Sequence, residues 1–508
     1  MQASNPKGST DAGTHGCVSD DGLGHGGGHA TRGHSSPQIA VSPTTGTLAI
    51  VSSDVRTRKT CDLHLSVDDG ASWFEGASPM LEPFTDCSGY AINGPYATIA
   101  YDREGTLLVA LVANDPELSD LPRPDRPRSV FLARSTDDGR SFDTTIVYEA
   151  PEDVTDDPRT NNQRPMVVLD PNDPDNVYVS WLQRGVDTGH RALVAASTDG
   201  GRTFGEPAQL SDDDDHGGYQ ARVAVDHEGT VHAIFPSAGY ADPRPDEPIV
   251  RPIFYTRSTD GGETWPEAIE IDEGNAEFSF NRKHELAADP DTGTLYAAWY
   301  GHPDARAERP DADSDLFVRV STDGGDTWSD RVVVNDDEGG AMQYNAGIAV
   351  APDGRVDLAW LDFRDSPMPE GEGAVGNDGG FNDVYYASST DQGATWSDNL
   401  RVSDRSIDRR IGVWSNNMHS HTNVGIASTD DVVYLAWQDT RAGDADTQSE
   451  DIYFATVRRT GTDDESAGLL TGVPTWLVVG AALLLGMGLA AAAAGAMARR
   501  SGRAPAGA

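Results

Sequence analysis

The sequence predicts an all-β protein: a β-propeller of seven four-stranded blades, with six blades as the alternative, followed by one C-terminal transmembrane helix. Three observations lead to this fold class. One eight-residue pattern occurs six times, the copies begin 61–69 residues apart, and a long apolar segment lies near the C-terminus. A unit of this length is too long for one hairpin and fits four strands with their loops, which is the size of a propeller blade.

We call the repeated pattern the octet; its clearest copy reads S-T-D-G-G-E-T-W. The six octets occupy residues 66–73, 135–142, 197–204, 258–265, 321–328 and 389–396. Asp and Ser or Thr side chains bind backbone donors in tight turns, Gly permits a positive φ, and a closing Trp or Phe anchors the turn. We therefore interpret the octet aspartates as structural: Asp68, Asp137, Asp199, Asp260, Asp323 and Asp391.

Each unit also contains a common series of strands. In the fourth unit, an alternating strand at 222–225 precedes a tight turn, a second strand at 231–236 and a third at 253–257 that leads into the octet. We name these strands A, B and C, with D after the octet. Strand A recurs seven times, near Ile39, Ala97, Met166, Val223, Leu286, Ile348 and Val424. The seventh unit lacks an octet, so we expect the ring either to use residues before Ser36 there or to keep three strands.

The octets resemble the Asp-box, or bacterial neuraminidase repeat, of sialidases and related propellers. The resemblance covers residues 35–457. It implies octets that link strands C and D on the outside of each blade, and an exo-α-sialidase type of glycoside hydrolase acting on glycoconjugates. The alternative is a non-catalytic surface module that binds a glycan or a protein at the same face, since one propeller scaffold supports many functions.

Strand alternation places the A–B and C–D connections on one face of the ring and the B–C and D–A connections on the other. The A–B turns are short and the C–D turns are the octets, whereas long B–C loops occur at 240–252, 301–314, 365–383 and 442–450. Variable loops on a rigid scaffold are the usual place for a binding site. We therefore expect the ligand, a carbohydrate or glycoconjugate, at the face with the long loops.

A sialidase-type reaction needs arginines that grip a carboxylate, a carboxylic acid near the leaving oxygen, and commonly a Tyr nucleophile beside a Glu. The resemblance implies these roles for residues around the predicted channel mouth. Arg164, Arg222 and Arg282 are the candidate clamp, Tyr344 is the candidate nucleophile with Glu285 as its partner, and Asp54 is the candidate acid. The family's arginine-isoleucine-proline motif is absent from the first strand A, where residues 36–40 read S-P-Q-I-A.

Further candidate binding residues lie on the same face. A D-x-R motif follows strand B in three units, and its arginines include Arg364 and Arg441. His419 and His421 lie in the last D–A loop. The D-x-R motifs are also consistent with ion pairs that fix strand ends within a blade. The arginines before strand A are consistent both with an anion-binding mouth and with charge balance on an acidic protein.

The chain is strongly acidic, with 82 Asp and Glu against 38 Lys and Arg and a formal net charge of -44. Nucleic acid is excluded as a partner because this surface would repel phosphates. The charge is spread along the chain, which is typical of a solvated acidic coat in high salt; a cation-binding surface is the alternative. No cofactor or metal site is predicted, because the histidines of the Gly-rich N-terminal segment are typical of a flexible segment.

The membrane prediction rests on residues 477–497, which are uncharged and about long enough to cross a bilayer as a helix. Arg499, Arg500 and Arg503 follow, so the positive-inside rule places the C-terminus in the cytoplasm and the propeller outside the cell. Outside the cell, Cys61 and Cys87 could pair and leave Cys17 single. The predicted organisation is a flexible segment at 1–34, the propeller at 35–460, an acidic linker at 461–474, the membrane helix at 475–498 and a basic tail at 499–508.

Overall fold

Seven blades of antiparallel strands form the part of the chain that the computed structural model describes. The described residues are 32–54, 60–79, 97–114, 128–150, 161–184, 190–211, 218–237, 250–276, 284–302, 314–338, 341–366, 380–411, 424–444 and 449–459. Consecutive strands pair in the order A, B, C, D within each blade, so the sequence-predicted meander is confirmed.

The first three blades contain twelve strands. Blade 1 has β1 (Arg32–Val41), β2 (Leu48–Asp54), β3 (Thr60–Ser66) and β4 (Phe74–Glu75). Blade 2 has β5 (Ala97–Tyr101), β6 (Leu107–Asn114), β7 (Arg128–Ser135) and β8 (Asp143–Tyr148). Blade 3 has β9 (Asn161–Leu169), β10 (Val177–Arg184), β11 (His190–Ser197) and β12 (Ala208–Gln209).

The remaining blades contain sixteen strands. Blade 4 has β13 (Arg222–Val225), β14 (Val231–Pro236), β15 (Val250–Ser258) and β16 (Ile269–Ala276). Blade 5 has β17 (His284–Ala288), β18 (Leu295–Gly301), β19 (Asp315–Ser321) and β20 (Val332–Val333). Blade 6 has β21 (Gln343–Val350), β22 (Val356–Asp362), β23 (Phe381–Ser389) and β24 (Leu400–Arg401), with β25 (Ile407–Asp408) also pairing with β23. Blade 7 has β26 (Gly425–Ser428), β27 (Val432–Asp439) and β28 (Ser449–Arg458).

The ring closes between blades 7 and 1. The innermost strands contact one another in succession around the ring, and β26 of blade 7 returns to β1. Blade 7 has three strands among the described residues, and Arg32 and Gly33 pair in parallel with Ser449 and Glu450 at the outer edge of β28. Residues before Ser36 therefore occupy part of the edge where a fourth strand would lie.

Apolar clusters fill the space between neighbouring blades. One cluster joins blades 3 and 4, others join blades 4 and 5, 5 and 6, 6 and 7, and 7 and 1, and a larger one spans blades 1 to 3. The sheets therefore bury both of their faces, as stacked blades must. This explains why strand B is apolar at most of its positions in every blade rather than strictly alternating.

The octets form the turns that join strands C and D. In the fourth blade, the Ser258 hydroxyl donates to Asp260 Oδ1 at 2.6 Å and accepts from the Gly262 N–H at 2.9 Å. The Thr264 N–H also donates to Asp260 Oδ1, at 2.9 Å. The corresponding bonds occur in the other five octets. The structural interpretation of the octet aspartates is therefore confirmed.

The predicted membrane helix lies outside the described residues. Within the described ranges, no helix has the length and apolar character needed to cross a membrane. The segment at 475–498 therefore stays a prediction from the sequence.

Candidate functional site

Two rims of the ring are distinguished by their connections. The octet rim carries the octets and the A–B turns: the Gly200 N–H of an octet donates to the Asp175 carbonyl of an A–B turn at 2.9 Å. The loop-bearing rim carries the B–C and D–A connections: Gly218 and Ser237, one from each type, form a bridge there. The strand ends that the long loops connect therefore lie opposite the octets, as the sequence predicts.

The innermost strands have an equivalent position four residues before each A–B turn. Around the ring it holds Gln38, Thr98, Met166, Arg222, Glu285, Gly347 and Gly425. At Gly347 a Cβ would overlap the Val424 carbonyl, and at Gly425 it would lie 3.0 Å from the Pro37 carbonyl. Backbones therefore pack closely at blades 6, 7 and 1, and three adjacent long side chains, Met166, Arg222 and Glu285, lie at this level in blades 3 to 5.

Arg222 and Glu285 form an ion pair between blades 4 and 5. Arg222 Nη2 donates to Glu285 Oε1 at 2.8 Å, and Arg222 Nε donates to the His284 carbonyl at 3.0 Å. Arg222 Nη1 also lies 3.7 Å from the Met166 sulfur of blade 3, so the guanidinium touches both neighbouring strands. The side chain of Glu285 keeps 14% of its surface exposed. The structure thus brings two of the sequence-predicted residues together at the channel.

Arg164 takes part in a stacked group between blades 3 and 4. Its guanidinium lies over the Tyr219 ring at 4.9 Å from the centroid, and the His190 ring stacks against Tyr219 at 5.8 Å. All three side chains are buried. A cation over an aromatic face is attracted by the ring quadrupole, so this contact holds the guanidinium in a fixed orientation.

Three buried residues of the innermost strands have a positive φ. Ser36, Arg164 and Asn345 have φ values of 54°, 54° and 56°, and each lies six residues before its A–B turn. At each one the pairing of strands A and B shifts by a bulge. Such backbone conformations are costly for residues other than Gly, and they cluster at functional sites. The loop-bearing rim therefore contains three repeats of one strained feature.

The bulge at Asn345 determines where Tyr344 points. Tyr344 pairs with Leu361, and Gly347 pairs with Ala359, so one extra residue separates them on β21. If the same residues alternated strictly, Tyr344 would turn toward blade 5, the blade of Glu285. Because of the bulge, Tyr344 instead packs in the apolar cluster between blades 6 and 7 and stacks on Phe363 at 5.5 Å. Its hydroxyl accepts a hydrogen bond from the side-chain amide of Asn382.

The D-x-R arginines bind the aspartates of their own motifs. Arg364 donates to Asp362 Oδ2 from Nε at 3.0 Å and from Nη2 at 2.8 Å, and Arg441 donates to Asp439 Oδ2 at 2.9 and 2.6 Å. Each also reaches the preceding blade, Arg364 at Asp336 and Arg441 at Asp404. Burial acts to lower the pKa of Arg441, but hydrogen bonds and charge from Asp439 outweigh it and raise the pKa.

Other predicted site residues lie outside the described parts of the chain. Arg282, His419 and His421 are among them. Asp54 ends β2, but its side chain is not described. Cys61 is buried and disulfide-bonded, and the other half of the bond is outside the described residues, so the pairing with Cys87 stays a prediction. In the described ranges no group of three or more His, Cys, Asp or Glu side chains is placed to hold a metal ion.

Comparisons with known proteins give similarities of fold. The sequence matches no protein-family model and no curated protein. Among solved structures, the Hadza microbial sialidase Hz136 has a TM-score of 0.44 and 16% identity, over 81% of this chain and 76% of that chain. The alpha-L-arabinanase of Penicillium chrysogenum complexed with arabinobiose has a TM-score of 0.42 and 14% identity, over 64% of this chain and 88% of that one. The NanB sialidase of Streptococcus pneumoniae has a TM-score of 0.41 and 12% identity, over 66% of each chain. At these values the similarity says nothing about the activity of this chain.

Two residues of the site were missed by the sequence reasoning. His190 is the first residue of strand C of blade 3 and stacks on Tyr219, and Asn382 is the second residue of strand C of blade 6 and binds Tyr344. Both are polar residues at the loop end of the strand. A polar residue at the loop end of strand C is the sequence feature that would have found them.

Proposed function

We propose that this chain recognises a carbohydrate or glycoconjugate at the loop-bearing rim, over blades 3 to 5, without hydrolysing it. The Arg222–Glu285 pair carries the proposal, because the buried guanidinium orients a carboxylate that keeps 14% of its side-chain surface exposed. Sugar hydroxyls donate hydrogen bonds, and a carboxylate whose orientation is already fixed accepts them without further rearrangement. The carbohydrate class comes from the resemblance of the octets to those of sialidases.

The positions of the remaining candidates favour binding over hydrolysis. The candidate nucleophile Tyr344 is packed between blades 6 and 7, with its hydroxyl bound by Asn382, whereas its candidate partner Glu285 binds Arg222. Arg364 and Arg441 are bound to aspartates, so neither has a free pair of N–H groups for bidentate binding of a substrate carboxylate. A nucleophile and its base need to lie within hydrogen-bond reach of each other.

Hydrolysis remains the second candidate function, and one observation favours it. Glu285 is a carboxylate that keeps partial exposure at the channel, beside a buried arginine. A carboxylate at such a site is a candidate general acid or base for a glycosidase.

We further propose that the propeller acts outside the cell, anchored by the helix at 475–498. The uncharged segment followed by arginines supports this topology. The disulfide at Cys61 agrees with it, because disulfides persist in oxidising compartments.

A glycan-binding experiment tests the proposal. The purified full chain is screened against an array of glycans, and the affinity of the best ligand is measured for the wild type, Arg222→Gln and Glu285→Gln. We expect each substitution to weaken binding at least tenfold, because each leaves the other charge without its partner. Arg140→Gln is the matched control: Arg140 is 58% exposed on the octet rim, and we expect its affinity to stay within twofold of wild type.

Hydrolysis is tested in the same preparations with a sialoside that releases a fluorescent aglycone. We expect no release above the buffer blank. Release that Glu285→Gln or Tyr344→Phe abolishes would replace the binding proposal with the hydrolase. Equal glycan affinity in Arg222→Gln, Glu285→Gln and wild type would remove blades 3 to 5 as the site.

A further inference from the structure

Arg409 is a buried arginine on the loop-bearing rim between blades 6 and 7. It follows β25, and its N–H donates to the Gly380 carbonyl at 3.2 Å, which extends the pairing of β25 with β23. Only 2% of the residue is exposed. Its Nε and Nη2 are buried and have no hydrogen-bond partner, and among the described residues it forms no ion pair.

The pairing of β23 with β25 shows which way the Arg409 side chain points. Asn382 lies opposite Ile407, and directly opposed residues of an antiparallel pair share a face. Arg409 is the first turn residue after β25, but its N–H bond to the Gly380 carbonyl continues the pairing, and it is buried like Ile407. Asn382 and Ile407 are both buried, and Ile407 belongs to the apolar cluster between blades 6 and 7. The guanidinium therefore faces the interior between these blades.

The opposite face of the same ribbon is exposed and has its charges paired. Arg410 donates to Asp408 Oδ1 at 2.8 Å and to Asp408 Oδ2 at 2.7 Å, and its guanidinium lies over the Phe381 ring. The side chain of Arg410 is 55% exposed. Neighbouring residues in the sequence thus differ in kind: Arg410 is a solvated ion pair, and Arg409 is a buried cation.

The described carboxylates of this region are already bound to other arginines. Asp408, whose charge also interacts with that of Arg409, binds Arg410. Asp404 and Asp439 bind Arg441, and Asp383 binds Arg401. A guanidinium stays charged at any pH that proteins tolerate, so it cannot become neutral to relieve its burial. Buried charges are normally paired, and a buried polar group without a partner indicates a water, an ion or a ligand.

Asn382 is a second polar group on this face. Its Oδ1 is buried and has no hydrogen-bond partner, while its amide nitrogen donates to the Tyr344 hydroxyl. The amide satisfies Tyr344 equally well when its oxygen and nitrogen exchange places, with the hydroxyl donating to Oδ1. In that orientation the amide N–H turns to the same face as Arg409 and adds a neutral donor there.

We propose that a small monovalent anion, a halide or a carboxylate, binds the Arg409 guanidinium between blades 6 and 7. The site takes an anion because the groups available to it are a permanent cation and an amide donor. It is separate from the proposed glycan site on blades 3 to 5. The bound anion neutralises a buried charge in the interface between blades 6 and 7, so it stabilises the fold.

Thermal unfolding of the full chain tests the site. Sodium concentration and ionic strength are held constant while the bulky sulfonate MES is exchanged for chloride in one series and for acetate in the other. Screening depends on ionic strength, so a response to anion identity reports binding. Above the Kd, we expect the Tm to rise by roughly 1 to 2 °C for each tenfold increase in the free concentration of the anion that binds. A response to chloride alone identifies a halide site, and a response to acetate alone identifies a carboxylate site.

Two variants separate the site from general salt effects. We expect Arg409→Gln to lose the anion-specific rise, and Arg410→Gln, the neighbouring residue on the exposed face, to keep it. Crystals of the wild-type chain grown with bromide give a second measurement, in which we expect an anomalous peak within hydrogen-bond distance of the Arg409 guanidinium; an acetate-specific site is read from the difference-density peak of acetate in crystals grown with that anion. The proposal is wrong if neither anion raises the wild-type Tm, if Arg409→Gln responds as the wild type does, or if both kinds of crystal lack the peak. The crystals decide the matter alone if Arg409→Gln does not fold.

Discussion

The glycine at the fifth position of each octet lies where one blade packs against the preceding blade. In blade 5 this is Gly325, whose φ of 91° favours Gly and whose added Cβ would overlap the Tyr255 hydroxyl of blade 4. Gly70 faces Phe454 in the same way, and Gly201 faces Leu132. Two requirements therefore coincide at one residue, a left-handed turn and the absence of a side chain. The octet is both a hairpin turn and a contact between blades.

Replacing this glycine tests both requirements. We expect Gly325→Ala to lower the free energy of unfolding by about 3 kcal/mol, from a left-handed conformation and overpacking together. Gly46→Ala is the matched control, because Gly46 also has a positive φ but no atom within 4 Å of the added Cβ. Its expected cost is about 1 kcal/mol. Equal costs in urea unfolding would show that the contact with Tyr255 contributes nothing.

The octet aspartates make stability depend on pH in the acid range. Hydrogen bonds from Thr327 lower the pKa of Asp323 to about 2. A carboxyl whose pKa is lowered by folding stabilises the protein above its unfolded pKa and loses that contribution as pH falls through its folded pKa. We therefore expect the stability difference between wild type and Asp323→Asn to be constant above about pH 5 and to shrink from about pH 4 to 2. Urea unfolding at several pH values measures it, and a difference that stays constant down to pH 2 would refute the assignment.

Neighbouring blades are joined at the element scale by arginines that bind aspartates of the preceding blade. Asp272 Oδ2 of β16 accepts a hydrogen bond from Arg331 Nε at 2.8 Å, and Arg319 Nε of β19 lies 3.1 Å from the same oxygen. Arg364 and Arg441 make the same kind of contact on the loop-bearing rim. These ion pairs therefore connect successive blades in addition to the apolar clusters between them.

Removing one such carboxylate should be costly. The Asp272 side chain is fully buried, so we expect Asp272→Asn to lower the free energy of unfolding by about 3 kcal/mol, because two arginines lose their anion. Asp326→Asn is the control, since Asp326 is 65% exposed in its pair with Arg257 and should change stability by less than about 1 kcal/mol. Chemical unfolding compares the two. A smaller loss for Asp272→Asn than for Asp326→Asn would mean that the contact between blades is not stabilising.

Sequence patterns predicted the elements well because the information is local. The octets, the short A–B turns and the alternating strand at 222–225 are each encoded within about ten residues, and β13 spans Arg222–Val225 as predicted. The direction of side chains near the loop-bearing rim, by contrast, depends on bulges and on how blades pack, so a short stretch of sequence does not encode it. The bulge at Asn345 reverses Tyr344, and nothing in the residues M-Q-Y-N requires it. The contact of Arg222 with Glu285 joins residues 63 positions apart and depends on how two blades pack.

At the scale of the whole molecule, the two rims of the ring differ: the octet rim stabilises the blades, and the loop-bearing rim is the one for which we propose ligand binding. The octet rim is built from turns whose polar groups bind one another, so it has few free groups for a ligand. The loop-bearing rim holds the strained residues Ser36, Arg164 and Asn345 and the Arg222–Glu285 pair. Strain and unequal loops on one rim are what a rigid scaffold with one binding face should show. The seven-bladed count follows from the sequence because strand A recurs seven times, even though blade 7 lacks an octet.

Hydrogen–deuterium exchange of the full chain, with and without the glycan that it binds, tests this division most directly. We expect the bound glycan to slow exchange at the first residues of β9, β13 and β17 and in the adjoining loops, and to leave the octet turns unchanged. Slower exchange confined to the octet turns, or uniform change over both rims, would contradict a binding site at the loop-bearing rim.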